Sequence, residues 1–299
     1  MTQPVQPLAD YGFFGPDSVT WKVWGHTTTP VTGLQRAVVV EELDPGLIAA
    51  VDATQANYDR PRTRYDRTVR YFATVAFGDS ESVIKAADVL VKVHSKAIGT
   101  EPVSGNKYDA NDPHSQLWIL LTGWHSVLTA YELYGGGKLT PEEENQYWEE
   151  CAIAAEFQTC DPADVPRTSA GVREYFDRMR PHLAVSEAAR SMMDHLLNAK
   201  VVLPPAPLPL KPVVELINLV LRAGAIATMP RWMRKLSGFN VPSKANEAAF
   251  EQAIEDVAAA ARTLIASLVT HAEQRNREVE AAKARAASLA RFGAPTKAV

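Results

Sequence analysis

Length, composition and charge describe a soluble globular protein and exclude several other classes. The chain has 299 residues, of which 46% are hydrophobic and 22% are charged, as in ordinary soluble domains. The formal net charge of −4 at pH 7 argues against a nucleic-acid partner. The cysteines, Cys151 and Cys160, are too few for a structural zinc site or a disulfide scaffold. The first ten residues lack the features of a signal peptide, so we expect a cytoplasmic protein.

Helical signals dominate the first half of the chain. The only strand-like run, Arg36–Val40, is too short to define a sheet. Asp79 has the position of an N-cap, and Thr140 is followed by a proline and three acids, which is typical of a helix start. A polar loop is expected at Val103–Asp112. The predicted helices of this half are Tyr65–Phe77, Asp79–Gly99, Ser115–Tyr134 and Thr140–Phe157.

The second half predicts more helices around a proline-rich segment. Pro204–Pro212 contains five prolines and is expected to form an extended strap. The predicted elements around it are the helices Ser169–Arg180 and Ser186–Ala199, an apolar helix Val213–Met229, a basic turn Arg231–Lys235 and a long Ala-rich helix from Asn246. The sequence therefore predicts an all-α fold class, with residues 1–299 forming one multi-helix orthogonal bundle that ends in the C-terminal helix 246–299.

The segment Val213–Met229 is the most apolar stretch of the chain. Glu215, Asn218 and Arg222 interrupt it, and it is shorter than the roughly 20 apolar residues of a membrane span. A buried helix is favoured, and a helix lying on a membrane surface is the alternative.

His94 is the first candidate site residue. Leu90 and Val91 lie four and three residues before it, so they share its helix face. A neutral imidazole among apolar neighbours can bind haem iron. It can equally be a core histidine that bonds a backbone carbonyl, and periodicity alone favours that second interpretation.

A basic helix face is the second candidate. Arg64 and Thr68 are four residues apart and share one face of a helix, with Arg67 beside them. An arginine there can bind a haem propionate or stabilise negative charge that develops on reduced oxygen. The alternative is a solvated basic face, because five arginines and two aspartates are crowded between residues 59 and 70.

The loop before Trp118 is the third candidate. Asp109 or Asp112 can pair with an arginine of the basic face, and ordinary capping of the next helix is the alternative. Neither cysteine has an activating neighbour, and no serine-hydrolase elbow occurs, so nucleophilic catalysis is not predicted.

Taken in order, these motifs resemble the catalytic domain of the rubber oxygenases, or MpaB-type oxygenases, a family that includes the latex-clearing proteins. The resemblance covers about residues 15–197. The motifs that carry it are Arg64-x-x-Arg-Thr68, Gly78-Asp79, His94 with Gly99 five residues on, Tyr108-Asp-Ala-Asn-Asp-Pro113, Leu117-Trp118, Glu132-Leu-Tyr-Gly135 and Leu139-Thr-Pro-Glu-Glu143.

The resemblance implies an all-helical fold with a b-type haem in a pocket between helices. It implies that His94 is the axial iron ligand and that Arg64 and Thr68 lie on the distal side. Leu90, Val91 and Trp118 are then expected to contact the haem. In latex-clearing proteins a lysine precedes the threonine and can cap the iron. Arg67 holds that place here and stays protonated, which predicts an open or water-bound distal position or a different orientation of that helix.

Two functions follow as hypotheses. The first is a haem-dependent oxygenase that acts with dioxygen on an apolar substrate such as an unsaturated isoprenoid or lipid. The second is a non-catalytic haem or lipid carrier or scaffold that docks through its apolar helix, with peripheral membrane contact or a homodimer as further expectations. Oxygen uptake distinguishes the two.

Overall fold

Helices make up nearly all of the regular structure in the computed structural model of the protein. The structure describes residue 8, the ranges 10–48, 61–101, 104–198, 211–239 and 243–267, and the single positions 279, 283 and 286. The chain divides into two compact units, Met1–Arg262 and Thr263–Val299. The prediction of an all-α fold is confirmed.

The α-helices of the described ranges are numbered here in chain order. They are α1 (Val19–Trp24), α2 (Leu34–Glu41), α3 (Pro61–Phe77), α4 (Ser80–His94), α5 (Pro113–Tyr134), α6 (Pro141–Ala155), α7 (Ser169–Met179), α8 (Glu187–Leu196), α9 (Lys211–Ala227), α10 (Arg231–Leu236) and α11 (Glu247–Ser267). A π-helix at Thr29–Gly33 leads into α2, and short 3₁₀ helices lie at Pro162–Asp164, Arg180–His182 and Lys244–Asn246.

Side-chain caps explain where the predicted helices begin. The Asp79 carboxylate accepts a hydrogen bond from the backbone of Ser82 at 2.8 Å, at the start of α4. Thr140 and Glu143 form a reciprocal capping box at the start of α6. Both helix starts lie where the sequence predicted them, because each cap depends on two residues that are only three positions apart.

Two local predictions are wrong. The run Arg36–Val40 belongs to α2, because a run of five residues with three valines does not distinguish a short strand from a buried helix. The helix expected to reach Gly99 ends at His94. Beyond it, strand β1 (Ile98–Thr100) pairs antiparallel with β2 (Lys107–Asp109), with Gly99 opposite Tyr108. Strands of three residues carry too little alternation to be seen in the sequence.

Helix α5 lies at the centre of the core and is buried on most of its surface. The π-helix approaches it closely at Gly33, where a Cβ atom would come within 3.0 Å of the Cα of Val127. Farther along, the indole of Trp24 packs between Phe72 of α3 and Trp124 of α5, with ring centroids 5.4 Å apart in each pair. The aromatic contacts thus fix α1 and α3 against α5.

The buried carboxylate of Glu150 in α6 caps the start of α1. It accepts hydrogen bonds from the backbone of Val19 at 3.2 Å and from the backbone and hydroxyl of Thr20 at 2.7 Å each. Ser18 accepts from the next backbone N–H, that of Trp21, at 3.0 Å. Of the N–H groups that this helix start leaves without intrahelical partners, two are satisfied from another helix and one by the N-cap residue Ser18.

The apolar segment near the C-terminus folds as α9 and is buried on one side only. Leu219 and Val220 are exposed, whereas Ala225 is fully buried, so the favoured interpretation of a buried helix holds for one face. The Tyr134 hydroxyl donates to the carbonyl of Gly224 at 3.1 Å. No helix within the described ranges has the length and apolarity needed to cross a membrane. Residues 204–210 of the predicted strap lie outside the described residues.

Candidate active site

His94 is the last residue of α4, at the point where the chain turns into the β1–β2 hairpin, and its side chain is partly buried. The Nδ1 atom of its ring lies 3.2 Å from the side-chain nitrogen of Gln116 in α5. The same nitrogen donates to the carbonyl oxygen of Ala110, which follows β2, at 2.6 Å. The histidine therefore lies where α4, the hairpin and α5 meet.

The position of Gln116 follows from the cap of α5. The Asp112 carboxylate accepts from the backbone of Ser115 at 3.1 Å, and its carbonyl accepts from the backbone of Gln116 at 3.0 Å. Gln116 is only 1% exposed. Its amide nitrogen donates to the carbonyl oxygen of Ala110 and also lies 3.2 Å from Nδ1 of His94, where the donor and acceptor roles depend on the tautomer of the ring. The capping interpretation of Asp112 is the one that the structure supports.

The surface next to His94 is apolar and open. Val83 is the buried side chain of α4, whereas Val91 is 39% exposed and Val93 is 59% exposed. Leu90 is partly buried. An open depression of about 360 Å³ adjoins this region and is lined by Lys92, Val93, Lys96 and Ala97. The depression combines apolar side chains with the cationic side chains of Lys92 and Lys96. It therefore suits an apolar group that carries negative charge.

The three site residues predicted on α3 do not share one environment. Thr68 is partly buried, whereas Arg67 is exposed. The backbone of Arg64 belongs to α3, and its side chain lies outside the described part of the chain. Arg67 thus faces solvent, while Thr68 lies one turn from Tyr65 and Phe72, which pack on the core.

Two tyrosine side chains of α3 bond to the backbone of other segments. Within the described residues, the tyrosine hydroxyls of α3 bond elsewhere: Tyr65 donates to the carbonyl of Pro30, and Tyr71 donates to that of Phe157 at 2.9 Å. Helices α3 and α4 are joined at Gly78, and at 1.5 Å per residue Thr68 and His94 lie about 14 Å and about 21 Å from that turn. Both residues are therefore on the far parts of two adjacent helices.

Trp118 is a core residue. Its side chain is fully buried, its indole N–H donates to the carbonyl of Glu41 at 3.2 Å, and its ring packs edge-on against Phe176 at 5.6 Å. It links α5 to α2 and α7. Its expected contact with a haem stays a prediction.

A buried cationic cluster lies farther along α5 and was missed by the sequence interpretation. Arg36 of α2 is 0% exposed, and its Nη1 donates to the Ser126 hydroxyl at 2.7 Å and lies 3.2 Å from Nδ1 of His125. Burial and the nearby guanidinium lower the pKa of His125 to about 3. His125 is therefore neutral at physiological pH. The sequence pattern does not indicate this cluster. Arg36 lay in a run interpreted as strand-like, so its contact with α5 could not be predicted.

The lowered pKa of His125 predicts acid sensitivity. The unfolded protein takes up a proton at the ordinary pKa of about 6.5, whereas the folded protein does not until about pH 3. The contribution of this residue to stability is therefore complete above about pH 6.5 and is lost progressively as the pH falls. At about pH 5 the loss is about 2 kcal/mol.

Urea unfolding of the wild type and His125→Gln at about pH 7 and about pH 5 measures this effect. The wild type should lose about 2 kcal/mol more than the variant on acidification. Equal losses in the two proteins would contradict the expected protonation state of His125.

The two cysteines are poor nucleophiles. Both are buried and free, and burial raises the pKa of Cys160 to about 12 and that of Cys151 further above its ordinary value. Neither is a thiolate at neutral pH, in agreement with the expectation from the sequence.

Comparison with known proteins identifies the family of the chain. A family model described as "ER-bound oxygenase mpaB/B′/Rubber oxygenase, catalytic domain" matches residues 21–286. No curated protein and no solved structure matches the chain at a significant level. The matched range contains α3, α4 and α5, with Thr68, His94 and Gln116. The chain therefore belongs to the family of MpaB-type and rubber-oxygenase catalytic domains, and this membership supports oxygenase activity.

Proposed function

We propose that the protein is a haem b-dependent oxygenase that acts with dioxygen on an apolar, unsaturated substrate. The observation that carries the proposal is the position of His94, which is held by Gln116 beside the open apolar surface of α4. Family membership adds the oxygenase chemistry. Haem iron at this position would supply the activation of dioxygen.

The residues present fit a haem better than a bare metal ion. Within the described residues, no three histidine, cysteine or acidic side chains cluster in a way that could hold a metal. A haem iron takes four ligands from its own ring, so one histidine from the protein is enough. The apolar side chains of Leu90, Val91 and Val93 suit the porphyrin faces and edges, and the ammonium groups of Lys92 and Lys96 suit its propionates.

The proposal gives each residue a separate task. His94 would hold the iron, and Gln116 would fix the direction of its ring. Thr68 supplies a hydroxyl from the core-facing side of α3, where it can donate a hydrogen bond. Arg64 adds positive charge on the distal side. Arg67 is exposed to solvent, and its guanidinium would not serve as an iron ligand.

Haem loading and oxygen uptake test the proposal together. The protein is expressed with added haem, its visible spectrum is recorded, and oxygen consumption is followed with a reductant and an unsaturated isoprenoid such as squalene. A Soret band with substrate-dependent uptake supports the oxygenase. A loaded protein that consumes no oxygen supports the carrier, and the absence of a Soret band overturns haem binding.

One observation favours the carrier or scaffold as a second candidate. Leu219 and Val220 lie side by side on α9 and are 63% and 54% exposed. An exposed apolar pair of this kind suits contact with a membrane surface or a partner protein.

Replacing Gln116 with leucine should weaken haem binding. The substitution keeps a buried side chain of similar size but removes the polar contact of 3.2 Å that positions the His94 ring at Nδ1. Loss of a residue that orients a metal ligand lowers affinity by about 10-fold to about 100-fold. Haem titration followed by absorbance measures the change.

Gln252→Leu on α11 is the matched control, because that exposed amide bonds only its helix neighbour Asp256 at 2.9 Å within the described structure. An affinity loss of equal size in both variants would contradict an orienting role for Gln116.

A further inference from the structure

We propose that Arg36, with Ser126 and His125, forms a binding site for a carboxylate anion inside the helical bundle. The site is separate from the residues assigned to iron binding. It does not require that the proposed function be correct.

The hydrogen bonding of Arg36 is incomplete in a specific way. Its Nη1 contacts Ser126 at 2.7 Å and His125 at 3.2 Å, whereas Nε and Nη2 are buried and have no hydrogen-bond partner among the described residues. Nε and Nη2 form one edge of the planar guanidinium, with two parallel N–H groups. This is the edge that binds both oxygens of a carboxylate.

The charge of Arg36 is also uncompensated. Burial lowers the pKa of Arg36 to about 10, so the guanidinium is still protonated at neutral pH. Burial is the cause that lowers it, and no carboxylate of the described structure contributes to its pKa. His125 is neutral and Ser126 is uncharged, so the neighbours that bond Arg36 cannot balance the charge. An isolated buried cation is costly, and a bound anion offsets that cost.

The surroundings favour an organic acid over an inorganic oxyanion. The ring of Phe176 lies 4.9 Å from that of His125 and is itself buried. His125 is partly exposed, so the cluster meets the surface at this residue. A planar carboxylate with an apolar body matches a two-nitrogen edge beside an aromatic wall.

Acetate binding to the haem-free protein is the direct test. We expect the melting temperature to rise with acetate relative to chloride at equal ionic strength, by about 3 °C at ten times the dissociation constant. Arg36→Met should lose the response. Arg36→Lys keeps the charge without the two-nitrogen edge, so its acetate dissociation constant should rise at least about 10-fold.

Two results would overturn the proposal. One is an identical melting temperature in acetate and chloride, which means that water alone fills the site. The other is an acetate response that persists in both Arg36 variants. If Arg36→Met does not fold, the comparison of the wild type with Arg36→Lys still tests the proposal, because both proteins carry the buried charge.

A second arm distinguishes a free carboxylate from one carried by the cofactor. If the carboxylate is a haem propionate, haem loading should abolish the acetate response, and Arg36→Met should weaken binding of haem but not of haem dimethyl ester. If the site takes a free acid, acetate should still stabilise the loaded protein. The acetate arm uses haem-free protein, so failure of haem binding leaves its result intact.

Discussion

Replacing His94 with alanine is expected to remove stoichiometric haem binding and to lower oxygen uptake more than about 100-fold. The reason is that the proposed site draws its iron ligand from this single side chain. Gln116, which is itself held by the carbonyl of Ala110, contacts the ring at Nδ1 but provides no substitute ligand. The effect should therefore exceed that of Gln116→Leu, which changes only the direction of the ring.

The measurements are a haem titration followed at the Soret band and oxygen uptake with the same substrate. His114→Ala is the matched control, because that histidine is exposed near the start of α5 and lies outside the proposed site. An unchanged Soret band in His94→Ala, or an equal loss in His114→Ala, would show that another residue binds the iron.

Replacing Glu150 with glutamine is expected to destabilise the protein by about 3 kcal/mol. The buried carboxylate accepts hydrogen bonds from Val19, Thr20 and Gln146, with the shortest at 2.7 Å. A glutamine amide would turn its own N–H groups toward one or more of these donors. Each donor that faces an N–H group would then lose its hydrogen-bond acceptor. The loss is a large part of the roughly 5–15 kcal/mol that separates folded from unfolded domains.

The adjacent residue supplies the control. Glu149 has a side chain that is 60% exposed and pairs with Arg167 at 2.8 Å. Glu149→Gln should change the free energy of unfolding by less than about 0.5 kcal/mol, because exposed ion pairs contribute little. Urea unfolding measures both variants. Similar losses at the two positions would mean that the α1 cap is not what makes Glu150 important.

The sequence predicted those parts of the fold that depend on neighbouring residues. The caps at Asp79 and Thr140 rest on side chains that bond backbone groups three positions away, so their patterns are visible in the chain. The hairpin was missed because its strands have three residues each. The run Arg36–Val40 was misassigned because burial on nearly all sides removes the periodicity that distinguishes helix from strand.

The candidate site was predictable in part. His94 could be selected from its apolar helix face, and the family resemblance gave it a role. Gln116 could not be selected, because its contact with His94 joins residues 22 positions apart and depends on how α5 packs against the hairpin. The exposure of Arg67 also follows from tertiary packing, since three residues on one short helix segment can face different surroundings.

The cap that Glu150 provides for α1 also bears on the order in which the protein is made. The partner of Thr20, the carboxylate of Glu150, lies 130 residues farther along the chain, and a ribosome synthesises it only about 10 s later. Until α6 emerges, α1 has only the cap that Ser18 provides, and Trp24 lacks the hydroxyl of Tyr147, to which its indole N–H donates at 3.2 Å. The aromatic contact between Trp24 and Phe72 then has to form on a helix that is only partly capped. Completion of the region around α3 therefore follows the synthesis of α6, which ends at Ala155 in a chain of 299 residues, and any cofactor that this region binds meets a chain at least that long.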